Sequence, residues 1–214
     1  LRLGNSARDT MGIVDDVMTF DRANKVGDLA SSSNMLSSSL KMFAMNAEEA
    51  TRVSDAMSMT TKSSKTDVNY LSSALNNAGA DAKNFGNDIE DTLTLIGGMS
   101  NNFADGSSAG TALKGMFSDL SNNVKLFEKQ GVKVTDSAGN FRQVEDVVKD
   151  LNKVLSDKTP AKQQEILNSL FSETGKSAYN ALSTSVGSIG ELENKIRSAN
   201  GTIQTMAEIM DSGL

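Results

Sequence analysis

Three kinds of residue cluster in this chain could in principle do chemistry. The first is a set of neighbouring acids: Asp15-Asp16, Glu48-Glu49, and Glu191 with Glu193. Two carboxylates facing one cleft can divide the acid and base roles of glycoside hydrolysis. The second is Gly175-Lys176-Ser177, which matches the tail of a phosphate-binding loop. The third is Asp136-Ser-Ala-Gly139-Asn140, whose composition is that of a calcium loop. Each has a plainer reading. The acidic pairs fall on predicted solvent faces or helix starts, where a carboxylate meets the positive end of a helix dipole. The first glycine of a phosphate-binding loop would fall on Leu170, inside an apolar helical face with no strand before it. The third segment lacks the alternating oxygen ligands and the closing Glu, so Asp136, Gly139 and Asn140 read as turn residues.

What the chain lacks narrows the chemistry further. It has no His, no Cys and no Trp, and its single proline is Pro160. Histidine is the most frequent general acid–base, and without it Ser–His–Asp and Cys–His nucleophiles cannot be built. Zinc and copper sites lose their usual imidazole and thiolate ligands. The sequence therefore assigns no catalytic, cofactor-binding or metal-binding residue, expects no cofactor, and reads as not an enzyme.

The bulk numbers agree with a folded interaction module. A length of 214 residues can bury a real core as one large domain or two small ones. Hydrophobic residues make up 38% and charged ones 22%, which argues against disorder from charge excess. Aromatics are 5% against 11 methionines, so the core must pack with small side chains and flexible Met. A net charge of −6 disfavours a sequence-independent grip on nucleic acid. No apolar run approaches the ~18 residues of a membrane helix, and no signal peptide is visible. The chain opens at Leu1 without Met, which suggests a fragment of a longer polypeptide.

The elements that must position these residues read as helices throughout. Ile13, Val14, Val17, Met18, Phe20, Leu29, Met35, Leu36, Leu40 and Phe43 predict helix on both sides of a weak point at Gly27. Asn46 with Glu49, and Asn87 with Glu90, are capping-box signals, and Thr66 can cap the helix between them, ending near Gly79. Leu113, Met116, Phe117 and Leu120 lie at i, i+3, i+4 and i+7, one buried face. Ala109, Gly110, Ala112 and Gly115 leave another side of that helix bare. Glycine costs a helix interior about 1 kcal/mol, so two of them here suggest a neighbouring backbone packed very close. Val132-Lys-Val134 and Phe141-Arg-Gln143 flank the turn and predict a short β-hairpin. Val144, Val147, Val148, Leu151, Val154 and Leu155 keep a 3.6 period, and Pro160 suits the first turn of the next helix. Three shorter helices are expected near 176–186, 189–199 and 202–211. The expected fold is all-α: about eight or nine helices in a compact domain with one hairpin near 132–143. Residues 1–45 form an N-terminal helical segment and 46–214 the core domain.

These pieces, in this order, resemble the core region of the phage tail tape measure family. The match runs from Gly106-Ser-Ser-Ala-Gly-Thr-Ala-Leu113 through Phe127-Glu-Lys-Gln-Gly131-Val-Lys-Val and Asp136-Ser-Ala-Gly-Asn-Phe-Arg142 to Val144-x-Asp-Val-Val-x-Asp-Leu151. It takes in Asn87-Asp-Ile-Glu-Asp-Thr92 upstream, and Ile166-Leu-Asn-Ser-Leu-Phe171 and Met206-Ala-Glu-Ile-Met210 downstream, covering about Phe20 to Asp211. The chain departs from the family's Phe-Gly at Phe171-Ser172 and from its Leu-Gly-Val at Gln130-Gly131-Val132.

The resemblance implies a mechanical role rather than a reaction. It implies a structural protein in the lumen of the tail tube, setting tail length during assembly and released ahead of DNA on infection. It implies assembly in the bacterial host cytoplasm, as the product of a phage or prophage. Expected partners are tail tube subunits, tail tip or baseplate proteins, tail assembly chaperones and further copies of itself. Two rival readings are an envelope-penetrating DNA-ejection module and, with less support, a cell-wall hydrolase using paired carboxylates.

Overall fold

Short polar side chains start most of the helices. Asp28, Asp67, Asp88, Asp105, Thr159 and Ser172 each accept a hydrogen bond from a backbone N–H of the first turn. Such caps satisfy donors that the helix itself leaves unpaired. The computed structural model describes residues 7–212, with side chains from Val14 onward. Leu1 and the side chain of Ile13 lie outside the described residues.

Eleven α-helices follow in order: α1 (Ala7–Ala23), α2 (Leu29–Phe43), α3 (Ala50–Ser63), α4 (Val68–Phe85), α5 (Ile89–Met99), α6 (Gly106–Asn122), α7 (Val124–Lys129), α8 (Val144–Ser156), α9 (Pro160–Leu170), α10 (Glu173–Arg197) and α11 (Thr202–Asp211). A 3-10 turn, Ala47–Glu49, leads into α3 and carries the Asn46–Glu49 capping box. The next two helix starts each fall one residue later than the sequence signals: Asp67 caps α4 instead of Thr66, and the second capping box is Asp88 with Asp91. Pro160 occupies the first turn of α9 behind its cap Thr159.

At the centre is α5, where every residue from Ile89 to Gly97 is buried. Helices α3, α4, α6 and α10 pack around it. The most extensive pairing is α4 with α6, followed by α10 with α6 and with α5. Leu113, Met116, Phe117 and Leu120 all turn into the core, as their spacing requires. Aromatic packing is sparse but placed at joints: Phe85 stacks on Phe141 at 4.2 Å, and Phe171 meets both Phe127 and Tyr179.

Two expectations fail. The helix count is higher than about eight or nine, and among the described residues there is no strand and so no hairpin near 132–143. Only one antiparallel bridge, Thr135 to Phe141, joins the two arms. The reason is tertiary. Val132 and Val134 are fully buried and Phe141 lies on Phe85, so both arms are held by the helices beneath them. Side chains also satisfy backbone groups in and around the turn. The Asp136 carboxylate accepts from the Ala138 and Asn140 amides, and the Arg142 guanidinium donates to the Lys133 carbonyl. An isolated two-stranded ribbon is marginal, and this loop does not need one.

Helix boundaries shift where glycines are overruled. α4 continues past Gly79 to Phe85, with the Met42 thioether packed where a side chain at Gly79 would lie, and ends at its C-cap Gly86. α10 runs unbroken through Gly187 and Gly190, merging two of the expected short helices. Buried Leu182, Ile189 and Ile196 hold it against its neighbours, and packing outweighs a propensity cost of about 1 kcal/mol per glycine.

Candidate functional site

The arrangement with the most demanding geometry is the seam where α6 crosses α4 and α10. Gly106 and Gly110 face α4. A Cβ at Gly110 would lie 2.5 Å from the Ala74 carbonyl oxygen and 2.8 Å from its Cα. At Gly106 it would collide with the Tyr70 carbonyl. Gly115 faces the other way, where a Cβ would sit 2.9 Å from the Gly175 amide nitrogen at the start of α10. Ala109 and Ala112 are buried between these contacts. The Asn77 amide donates to the Ser107 carbonyl and hydroxyl, both at 3.0 Å, tying the two helices along their length. Tyr70 closes the end of the seam with a bond to the Phe103 carbonyl. Burial and the nearby Asp105 push its hydroxyl up to about 12, so it stays a neutral donor. Asp119 accepts from the amide and hydroxyl of Ser172, which is the cap of α10.

Gly175-Lys176-Ser177 therefore belongs to this seam. Gly175 is buried against Gly115 and Asp119, Lys176 bonds Glu173 and Asn168, and the Ser177 hydroxyl donates to the Glu173 carbonyl. Asp136, Gly139 and Asn140 sit at the tip of the 132–143 loop, with Gly139 at φ +87°.

Three of the six carboxylates in the acidic pairs are neutralised by nearby cations. Glu49 meets Arg52 at 3.0 Å, Glu191 meets Lys195 at 2.7 Å, and Glu193 meets Arg197 at 2.8 Å. Asp16 accepts from Thr51, yet burial outweighs that bond and raises its carboxyl above the ordinary value. Among the described residues, no group of three His, Cys, Asp or Glu could hold a metal ion.

Sequence reasoning missed the carboxylates bound by distant parts of the chain, of which Asp55, Glu90 and Asp91 are buried. Glu90 is clasped by Arg52 through bonds of 2.6 and 2.8 Å. Asp88 and Asp91, at the start of α5, both bind Arg197 near the end of α10. Asp55 on α3, only 4% exposed, accepts from the Gly201 and Ile203 amides at 2.8 and 2.9 Å and so caps α11. These partners lie 38 to 148 residues apart in the chain, beyond any local pattern.

The clasp at α5 has a definite acid response. Burial raises Asp88, but the Arg197 guanidinium and the Asp91 amide outweigh it and hold its carboxyl below the ordinary value of 3.8. Asp91 goes the other way, raised by burial and by the negative charge of Asp88. A carboxyl lowered by folding contributes stability above 3.8, and that contribution is lost as pH falls through its folded value. Asp28, Asp105 and Asp136 are lowered in the same sense by the bonds they accept. Denaturant unfolding at stepped pH should show stability falling below 3.8, with Asp88→Asn flattening that fall. An unchanged acid limb in the variant would remove the clasp from this account.

Comparison with known proteins gives the chain its relatives. A family model described as "Phage-related minor tail protein" matches residues 1–172, up to the cap of α10. The "Probable tape measure protein" of Escherichia phage P2 is 28% identical over 180 residues, covering 80% of this chain. The "Tape measure protein" of Pneumococcus phage Dp-1 is 26% identical over 193 residues, covering 88%. The chain spans only 22% and 17% of the lengths of these two relatives. No solved structure matches it.

Proposed function

The chain belongs to the phage-related minor tail protein family, and from that membership we propose that it is a folded module of a tape measure protein, anchoring the ruler within the tail. A structural role in a phage tail follows from the family itself. The finer reading is that the parent chain lies in the tube lumen, sets tail length and leaves ahead of the DNA. It is carried by one observation: two tape measure proteins from different phages align with at least 80% of this chain. The module's own job is contact, with the tail tip, the tube subunits, assembly chaperones or further copies. A folded body supports this, because a ruler measures with extended helix at ~1.5 Å per residue. Among the described residues, no helix is long and apolar enough to cross a membrane.

An in-frame deletion of residues 20–211 tests the anchoring role, read by tail length in electron micrographs and by infectivity. The expected result is failed tail assembly or non-infectious particles. As a single extended helix this segment would span roughly 290 Å. Normal, infectious tails shortened by about that length would make the segment plain ruler and sink the anchoring role.

A further inference from the structure

The last turns of α3 and α5 meet the middle of α10 around an open groove of about 470 Å³. At its base Gly97 and Gly98 let α10 pack closely on α5. A Cβ at Gly98 would lie 3.1 Å from Ile189 Cδ1, and one at Gly97 would lie 3.0 Å from Leu192 Cδ2. Three lysines line the groove: Lys62 and Lys65 from the end of α3 and the loop after it, and Lys195 from α10. Lys195 pairs with Glu191 at 2.7 Å. Lys62 and Lys65 are exposed, and among the described residues neither has a carboxylate within ion-pair distance. In a chain of net charge −6, the groove is thus a local cationic site.

The remaining lining sets the chemistry of an occupant. Ser100, Ser185 and Ser188 donate their hydroxyl protons to helix carbonyls, at 2.7, 3.1 and 3.1 Å. Recognition of an anion therefore falls to the lysines. Leu192, partly exposed, adds an apolar surface beside them, with Ile189 buried beneath. The repulsion of the acidic chain falls on any anion alike, so the apolar surface discriminates, and a polyphosphate would gain nothing from it. A peptide with alternating acidic and apolar side chains satisfies both.

We propose that the groove between α3, α5 and α10 docks an extended acidic segment of a partner protein. Its carboxylates pair with Lys62 and Lys65, and an apolar side chain rests on Leu192. Pairs of this kind are weak singly and screened by salt, so the docking is a salt-sensitive contact.

The test is fluorescence anisotropy of a labelled peptide of alternating Glu and Leu titrated with the 214-residue chain. Saturable binding is expected, lost at high salt, and absent for the same peptide with Lys in place of Glu. The double variant K62E/K65E should weaken it by about tenfold or more, a change worth ~1.4 kcal/mol. Ser188→Tyr, which fills the groove without altering charge, should weaken it too. Equal binding by both variants, no saturable binding, or tighter binding of a single-stranded oligonucleotide of matching length overturns the proposal. Should the double variant fail to fold, amide shifts of the unaltered chain decide: movement at Gly97 and Gly98 supports the site, and movement confined elsewhere overturns it.

Discussion

Replacing Gly110 by Ala is expected to destabilise the fold by about 2 kcal/mol, although alanine is the better helix former. The propensity gain is about 1 kcal/mol. Against it stands a methyl group placed 2.5 Å from the Ala74 carbonyl oxygen and 2.8 Å from the Ala74 Cα, both backbone atoms of α4 that cannot turn aside. α6 must move off α4, and overpacking of this kind costs about 1–3 kcal/mol or more. The displacement also strains the Asn77 bonds to Ser107, which depend on the same approach. Gly187→Ala is the control. That glycine is exposed within α10, and a Cβ there meets nothing within 4 Å. It should stabilise by about 0.5–1 kcal/mol. Urea unfolding of both variants checks the pair. Two changes of the same sign would mean that close approach does not govern the seam.

Asp55→Ala should cost about 3 kcal/mol and act at a distance along the chain. The carboxylate is buried and accepts two amide donors at the start of α11, where Gly201 at φ +72° turns the backbone. Removing it leaves the Gly201 and Ile203 donors without an acceptor and takes a negative charge from a helix N-terminus. α11 packs on α1 and α3, so the loss should appear as faster hydrogen exchange in α11 and α1 before the remainder opens. Asp55→Asn keeps one acceptor oxygen and should lose less. Exchange in α11 unchanged by Asp55→Ala would show that the helix is held by apolar packing alone.

How much of this was legible in the sequence depends on the distance over which each feature is decided. Capping signals act over three residues and amphipathic faces over seven, so the capping box at Asn46 and the buried face from Leu113 to Leu120 could be read directly. The absence of His and Cys set the chemical character of the chain, and the ordered motifs from Gly106 to Leu151 carried its family. The 132–143 segment could not be read this way. Its alternation of Val132 and Val134 is the same whether they face a partner strand or a helical core, and only the position of Phe85 beneath Phe141 decides between them. Likewise Gly79, Gly187 and Gly190 look like helix ends until Met42, α5 and α8 are brought against those helices.

The candidate site divides along the same line. Small residues at 109, 110, 112 and 115 were visible as a bare stretch of helix. Their partners on α4 and α10 were not, and neither was the nearer contact at Gly106. The carboxylates divide similarly: apart from half-buried Asp16 the visible acidic pairs lie at or near the surface, whereas Asp55, Glu90 and Asp91 are buried because cations or amides from distant helices meet them. By itself the sequence determined that the chain is helical, acidic, without His and Cys, and kin to tail proteins, since composition and short-range periodicity are properties of the chain alone. Only the tertiary structure decided where helices end, which loop replaces a hairpin and which charges are paired, because each of those depends on the free energy of burying groups far apart in sequence.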